Sequence, residues 1–100
     1  MNKEFNCPVE ATISLIGGKY KSVILFHLMG KTLRYSELHK KIPKATDKML
    51  AQQLRELEKD GLIKRTVYPV VPPKTEYNLT EFGESLSPIL NAMCNWGESY

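Results

Sequence analysis

Cysteine is scarce in this chain of 100 residues, where only Cys7 and Cys94 occur. Two cysteines are too few for a disulfide scaffold, and in a reducing compartment we expect both to be free thiols. No apolar run approaches the roughly 20 residues that a membrane helix requires. The opening residues, MNKEFNCPVE, lack the apolar core of a signal peptide. These absences predict a cytoplasmic protein with no membrane partner.

The signatures of catalysis are missing as well. The sequence contains no G-x-S-x-G elbow, no P-loop and no dinucleotide-binding fingerprint. Its four soft metal ligands, Cys7, His27, His39 and Cys94, are widely separated, whereas a zinc site is normally built from closely spaced pairs. We therefore expect neither an enzyme nor a protein that needs a metal or another cofactor.

What the chain does contain is typical of one globular domain with an uneven charge. Hydrophobic residues make up 42% and charged residues 25%, so we predict a single domain over residues 1–100. Residues 1–65 carry 13 Lys and Arg against 7 Asp and Glu, a net charge of +6, whereas residues 66–100 carry −3. This asymmetry favours an anionic partner for one face. On charge alone, a solvated surface is the simpler interpretation.

Apolar residues at helical spacing predict four helices in the first 60 residues. Pro8 suits the first position of the first helix. The second, residues 19–29, is apolar nearly all round and should be the buried central helix. A short third helix over residues 35–42 is followed by a tight turn and by Thr46, a good N-cap for a fourth helix. The inward face of that fourth helix is predicted to carry Leu50, Leu54 and Leu57.

The period changes after Gly61. Residues 62–68 and 74–79 alternate as strands do, and the tip between them is YPVVPP, where proline's missing N–H is tolerated. A hairpin that directly follows two helices and a tight turn predicts a winged helix-turn-helix, an α+β fold that is mostly helical. Residues 80–96 should form one last helix with a kink at Pro88. Its apolar stripe consists of Leu86, Ile89, Leu90, Met93 and Trp96.

Six segments together resemble the HxlR family of bacterial winged-helix transcriptional regulators, some of which are thiol redox sensors. They are CPVE (7–10), IGGKYK (16–21), RYSEL (34–38), LRELEKDGLIKR (54–65), VYPVVPPKTEYNLT (67–80) and CNWG (94–97). They cover nearly the whole chain and occur in the family's order at close to its spacing. Two positions depart from the family: Tyr20 replaces a usual Trp, and Gln53 replaces a common Arg.

The resemblance implies a DNA-binding regulator that binds a pseudo-palindromic operator as a homodimer. We expect a repressor, because a domain this small has little surface left for recruiting polymerase. The N-terminus of the fourth helix would enter the major groove, where Gln can read adenine and Lys would contact phosphates. The wing would present Pro72, Pro73 and Lys74 at or near its tip, and Lys74 is expected to reach a phosphate or the minor groove. The residues expected to contact DNA are Arg34, Ser36, Lys44, Thr46, Lys48, Met49, Gln52, Gln53, Pro72, Pro73 and Lys74. The first and last helices would face the partner subunit through Val9, Ile13, Leu86, Ile89, Leu90, Met93 and Trp96.

Cys7 is a candidate sensor of oxidants or electrophiles. It lies at the start of a helix, a position that favours the reactive thiolate. Some family members sense through a cysteine here, whereas others keep it without such a role, so a small residue at a dimer interface is the alternative. A Cys7–Cys94 disulfide between subunits is a further hypothesis, and the effector is not evident from the sequence.

The competing interpretation of the whole chain is a winged-helix module that binds protein and not DNA. Such a module would leave the basic surface around Lys44 and Lys48 without a phosphate partner. A steep loss of binding with salt separates the two interpretations, because DNA binding releases counterions.

Overall fold

Six helices and three short strands build the described part of the chain, residues 4–100 of a computed structural model. In chain order they are α1 (Pro8–Ile16), α2 (Lys21–Leu28), β1 (Leu33–Arg34), α3 (Tyr35–Lys41), α4 (Asp47–Lys59), β2 (Ile63–Tyr68), β3 (Lys74–Leu79), α5 (Glu81–Glu84) and α6 (Ser87–Ser99). The α3–turn–α4 pair followed by the β2–β3 hairpin confirms the winged helix-turn-helix. None of the helices within residues 4–100 has both the length and the apolar character to cross a membrane.

Local signals in the sequence set the helix ends. Cys7 is the N-cap of α1 and Pro8 its first residue. Thr46 caps α4, and its Oγ1 accepts the N–H of Met49 at 3.1 Å. Gly61 follows α4 with φ +78°, a left-handed conformation that glycine adopts without strain. These ends fix where α4 begins and where the chain turns into the wing.

The core lies around α2, as predicted from its apolar composition. Ile24, Leu25 and Leu28 have no solvent exposure. They belong to one cluster with Leu50, Leu54 and Leu57 of α4. Because these three leucines point inward, the opposite side of α4 is turned to solvent.

The three strands form one antiparallel sheet in the order β1–β3–β2. Leu33 of β1 pairs with Tyr77 of β3, which in turn pairs with Arg65 of β2. Residues directly opposite one another lie on the same face of a sheet. Arg65 therefore lies on the face that also carries the buried Tyr77.

The prediction of one helix over residues 80–96 is wrong, since the structure has two. Thr80 caps α5 by accepting the N–H of Gly83 at 3.0 Å, and that helix ends at Ser85. Pro88 lies in the first turn of α6 and has no N–H with which to continue the α5 ladder. Proline thus starts a new helix here, where a kink in a continuous one had been expected.

Gly83 lets α5 pack closely on the end of β2. A Cβ at this position would overlap the backbone carbonyl oxygen of Leu62, a group that also accepts the N–H of Thr80 at 3.1 Å. By contrast, a Cβ on Gly97 of α6 would meet no atom within 4 Å.

We predict that Gly83→Ala destabilises the protein and that the control Gly97→Ala does not. The first change should cost about 1–3 kcal/mol, because a backbone atom has to move. The second should stabilise by up to about 1 kcal/mol, because Ala is the better helix former. Thermal unfolding monitored by circular dichroism measures both. Equal midpoints for Gly83→Ala and the wild type would show that the close packing of α5 is unimportant.

Candidate DNA-binding surface

A polar cluster fixes α3 against the start of α4. The Tyr35 hydroxyl donates to Asp47 Oδ1 at 2.7 Å. His39 Nε2 lies 2.9 Å from the Ala45 carbonyl oxygen, and since a carbonyl only accepts, this nitrogen carries a proton. His39 Nδ1 lies 3.2 Å from the same Asp47 oxygen. Tyr35 and His39 of α3 therefore contact the turn and the first residue of α4.

The cluster also keeps the Tyr35 phenol protonated. Burial, and then the hydrogen bond to Asp47, raises the pKa of Tyr35 to about 12. The hydroxyl can thus donate to the carboxylate at any ordinary pH. The Tyr35–Asp47 hydrogen bond between α3 and α4 therefore persists at neutral pH.

The outward side of α4 is polar and basic. Lys48, Gln52 and Arg55 are exposed at positions i, i+4 and i+7, opposite the buried leucines. Lys44 is exposed in the turn, and Met49 is half-buried in the first turn of the helix. Thr46 is exposed, but its Oγ1 is engaged as the N-cap. This face offers hydrogen-bond donors and positive charge to a solvent-side partner.

Gln53 does not lie on that face, although the sequence suggested a DNA contact. Its Oε1 accepts the N–H of Tyr20 at 3.2 Å, and its Nε2 donates to Glu56 Oε2 at 3.3 Å. Gln53 is half-buried beside α2, because residues 50 and 57 of the same helical flank point inward. Gln53 lies three residues after Leu50 and four before Leu57, and this spacing already indicated that it lies on the inward flank of the helix. Its side chain is engaged within the protein.

Lys74 likewise has partners within the protein, at the last strand pair before the tip of the wing. It pairs with Tyr68 in the register of the hairpin, and its Nζ lies 3.3 Å from Glu76 Oε2 and 5.1 Å from the centre of the Tyr68 ring. A hydrogen bond from Tyr68, and then the proximity of Lys74, lowers the pKa of Glu76. Lys74 was expected to contact DNA, but its ammonium group already has the charged carboxylate of Glu76 as a partner.

The exposed tip of the wing comes near the start of α3. Pro72 and Pro73 are exposed, and Val71 is fully so. The tip and the start of α3 line one open groove, whose residues include Arg34, Ser36, Val70 and Pro73. Glu37 already accepts the N–H of Arg34 at 2.8 Å, which places a negative charge at this helix end. Of the predicted wing residues, the two prolines remain free for an external partner.

Sequence reasoning missed two arginines. Arg55 of α4 and Arg65 of β2 line one groove with Ala51, Glu58 and Tyr77. Within residues 4–100, neither guanidinium takes part in an ion pair of 4 Å or less. The i+7 spacing of Arg55 from Lys48, and the pairing of Arg65 with Tyr77, are the signals that identify them.

The residues assigned to a dimer interface divide into two groups. Leu86 and Leu90 are 8% and 2% exposed, so they belong to this chain's own core, because α6 packs them onto α2. The other five are exposed apolar residues, namely Val9, Ile13, Ile89, Met93 and Trp96. A shallow apolar groove between α2 and α6 includes Val23, Phe26 and Met93.

The two thiols differ in environment. Cys7 is exposed and caps α1 without a side-chain hydrogen bond. Cys94 is half-buried on α6, with its Sγ 3.7 Å from Glu98 Oε1. Burial, and then the Glu98 charge, raises the pKa of Cys94. No group of three or more potential metal ligands occurs in the part of the chain that the structure describes.

Comparison with known proteins agrees with this geometry. The sequence model of the HxlR-like helix-turn-helix family matches residues 15–100. The uncharacterized HTH-type transcriptional regulators YdeP and YtcD of Bacillus subtilis (strain 168) are similar to the chain. YdeP is 54% identical over 94 residues, which is 94% of this chain and 73% of YdeP. YtcD is 55% identical over 98 residues, which is 98% of this chain and 78% of YtcD.

A solved structure is similarly close. The redox regulator HypR in its oxidized form has a TM-score of 0.90 and 50% identity, covering 94% of this chain and 97% of that one. In its reduced form the TM-score is 0.88. The fold and the relatives are those of transcriptional regulators and not of enzymes. From these matches we conclude that the chain belongs to the HxlR-like helix-turn-helix family of transcriptional regulators.

Proposed function

We propose that this regulator is one domain that binds double-stranded DNA as a homodimer, at a pseudo-palindromic operator, and represses transcription. The observation that carries the proposal is the outward face of α4, which presents Lys48, Gln52 and Arg55 beside the groove that holds Arg65. Positive charge without an internal partner is what a phosphate backbone binds.

In this arrangement the first two turns of α4 read the bases. Gln52 is exposed and can donate to and accept from an adenine edge in bidentate fashion. The methyl groups of Thr46 and Met49 can touch a thymine methyl. Lys44 and Lys48 then contact phosphates and set the register without reading sequence.

The second set of phosphate contacts comes from the groove beside the C-terminal half of α4. Arg55 and Arg65 project from a helix and from a strand, so together they can straddle a backbone segment that passes between the recognition helix and the wing. On the other flank, the wing tip with Pro72 and Pro73 approaches the minor groove, next to Arg34 and Ser36. The prolines limit the freedom of the tip and so reduce the entropy lost on binding.

The exposed apolar residues of α1 and α6 support dimerisation. Val9 is 66% exposed, Ile13 57% and Trp96 70%. Exposed apolar residues clustered on two helices are typical of an interface. A symmetric dimer would place two copies of α4 against half-sites about 34–36 Å apart, or a multiple of that distance.

Cys7 is the thiol that we propose as the sensor. It is exposed at the start of α1, a helix that also carries dimer residues, whereas the raised pKa of Cys94 disfavours its thiolate. The likeness to the redox regulator HypR supports a thiol-based response. Oxidation at Cys7 would then alter the dimer and, through it, DNA binding. The oxidised product would be a disulfide with a thiol of a partner subunit, Cys94 included, or with a small thiol.

We expect the double variant Arg55→Ala/Arg65→Ala to weaken operator binding and to flatten its dependence on salt. Each lost phosphate contact should reduce the slope of log K against log salt concentration by about one. Fluorescence anisotropy with a duplex selected from a random pool measures both quantities. The control is Lys31→Ala, which removes a charge from the turn after α2 and should leave the slope unchanged.

A wild-type slope near zero would refute DNA binding as the function. The exposed surface would then belong to a protein-binding module. An unchanged slope in the double variant alone would remove only the two arginines from the interface.

We expect Gln52→Ala to relax sequence preference at one position in each half-site. A good bidentate contact discriminates against the wrong base by about 1–3 kcal/mol. Competition with duplexes that carry each single base change measures the preference. Uniformly weaker binding, with the same preference at every position, would mean that Gln52 contacts only the backbone.

We expect Cys7→Ser to abolish the effect of diamide on DNA binding, and Cys94→Ser to leave part or all of it. Treatment of the wild type should lower its affinity, and dithiothreitol should restore it. Non-reducing gel electrophoresis then shows whether a covalent dimer forms and whether it needs Cys94. Equal affinities before and after treatment of the wild type would exclude a thiol sensor that responds to diamide.

A further inference from the structure

The linker between α1 and α2 is hydrogen-bonded to α4, the proposed recognition helix. This linker, residues 17–20, ends at Tyr20, whose backbone N–H donates to Gln53 Oε1 of α4 at 3.2 Å. A Cβ on Gly18 would overlap that same Oε1, so a larger residue there would displace the Gln53 amide. The amide of Gln53 therefore binds a backbone segment of another element.

The other end of the Gln53 amide is fixed as well. Its Nε2 donates to Glu56 Oε2 at 3.3 Å, and the same carboxylate oxygen lies 3.6 Å from Lys21 Nζ. Lys21 is only 8% exposed, and the Glu56 carboxylate is its ion-pair partner. One helical turn of α4 thus holds both the last linker residue and the first residue of α2.

Helix α2 is also bonded to the end of α1. Ser22 Oγ of α2 donates to the Ile16 carbonyl oxygen at 2.9 Å, and the Gly17 N–H donates to that of Ile13 at 2.7 Å. Ile16 is the one residue of α1 that is buried, and Leu15 is partly buried against the core. The position of α1 relative to the rest of the chain therefore depends on these two residues and on the linker and its bonds.

Apolar packing between α2 and α4 is not directional, whereas the hydrogen bond between the linker and α4 is. Contacts among leucines are non-directional and tolerate a small slide or rotation of α4. The bond from the Tyr20 N–H to Gln53 is directional, so it selects one rotation and one height of α4 relative to the linker. The Gln53–Glu56 bond lies within α4 and orients the amide that accepts this N–H.

We propose that Gln53 is a positioning residue that couples α1 to the recognition helix α4. It contacts no DNA. It fixes the orientation of α4 relative to the helix that carries Cys7 and the proposed dimer residues, and thereby sets the separation of the two recognition helices in a dimer. The inference rests on the proposed function and adds to it the path by which a change at α1 reaches α4.

The test separates positioning from binding and from folding. For each variant, affinity is measured for a single half-site, for the selected operator, and for operators with one or two base pairs inserted or removed between half-sites. Gln53→Met keeps the length of the side chain and removes both hydrogen bonds. The preference for the native spacing should fall by about fivefold or more, within the range of measured couplings between sites. Half-site affinity should stay within about twofold of the wild type.

Two further variants sharpen the result. Gln53→Glu places a second carboxylate beside Glu56 and should also reduce the spacing preference. The double variant Gln53→Glu/Glu56→Gln restores one amide and one carboxylate, so it should recover the preference. The matched control is Gln52→Met, which should weaken the half-site and every operator alike, because that neighbour faces solvent.

Two results would overturn the proposal. One is an unchanged spacing preference in Gln53→Met. The other is a parallel loss of half-site and operator affinity, which means that Gln53 only supports folding or touches DNA. If the wild type binds no DNA, the proposed function fails by itself. Amide hydrogen exchange then decides the coupling: Gln53→Met should speed exchange of the Tyr20 N–H and of amides in α1, and unchanged exchange in α1 would overturn it.

Discussion

Burial of Leu50, Leu54 and Leu57 on one side of α4 is the interaction on which the rest of the surface depends. Each is at most 2% exposed, and truncating such a leucine costs about 2–5 kcal/mol, out of a total stability of about 5–15 kcal/mol. Hence α4 cannot turn another side to solvent. With 3.6 residues per turn, Lys48, Gln52 and Arg55 must then face outward. The chemistry offered to a partner is therefore a consequence of core packing.

The basic residues also divide into some that are paired within the fold and some that face outward without a pair. Lys21 and Lys74 are paired with Glu56 and Glu76 and serve the fold. Within residues 4–100, the cations near the outward face of α4, which are Lys44, Lys48, Arg55 and Arg65, have no such pair. An exposed salt bridge contributes only about 0–1 kcal/mol, so leaving these charges unpaired costs the fold little. It leaves them available to phosphates, where several act together.

The sequence predicted most of the fold and part of the site. Apolar spacing located α1 to α4 and the hairpin, and Thr46 marked the start of α4, because those signals are local. The break between α5 and α6 was missed, since it depends on Leu86 being buried against the core while Pro88 starts a new helix. Gln53 and Lys74 are polar types common in DNA interfaces, but each already has a partner within the protein. For Lys74 that partner is Glu76, two residues along β3, whereas the Tyr20 N–H that Gln53 accepts is 33 positions away in the sequence and could not be predicted from it.

Those partners suggest how such a domain can be both rigid and responsive. The leucines of α4 and the Tyr35–Asp47 bond hold the helix-turn-helix unit as one piece. Helix α1 adds the buried Ile16 and the partly buried Leu15 to that piece, so a shift of α1 would disturb few core contacts. Cys7 lies at its outer end, and the linker bonded to Gln53 lies at its inner end. A chemical change at the proposed sensor thiol would therefore act on a helix whose linker is bonded to α4, and the proposed DNA-binding unit would move without unfolding.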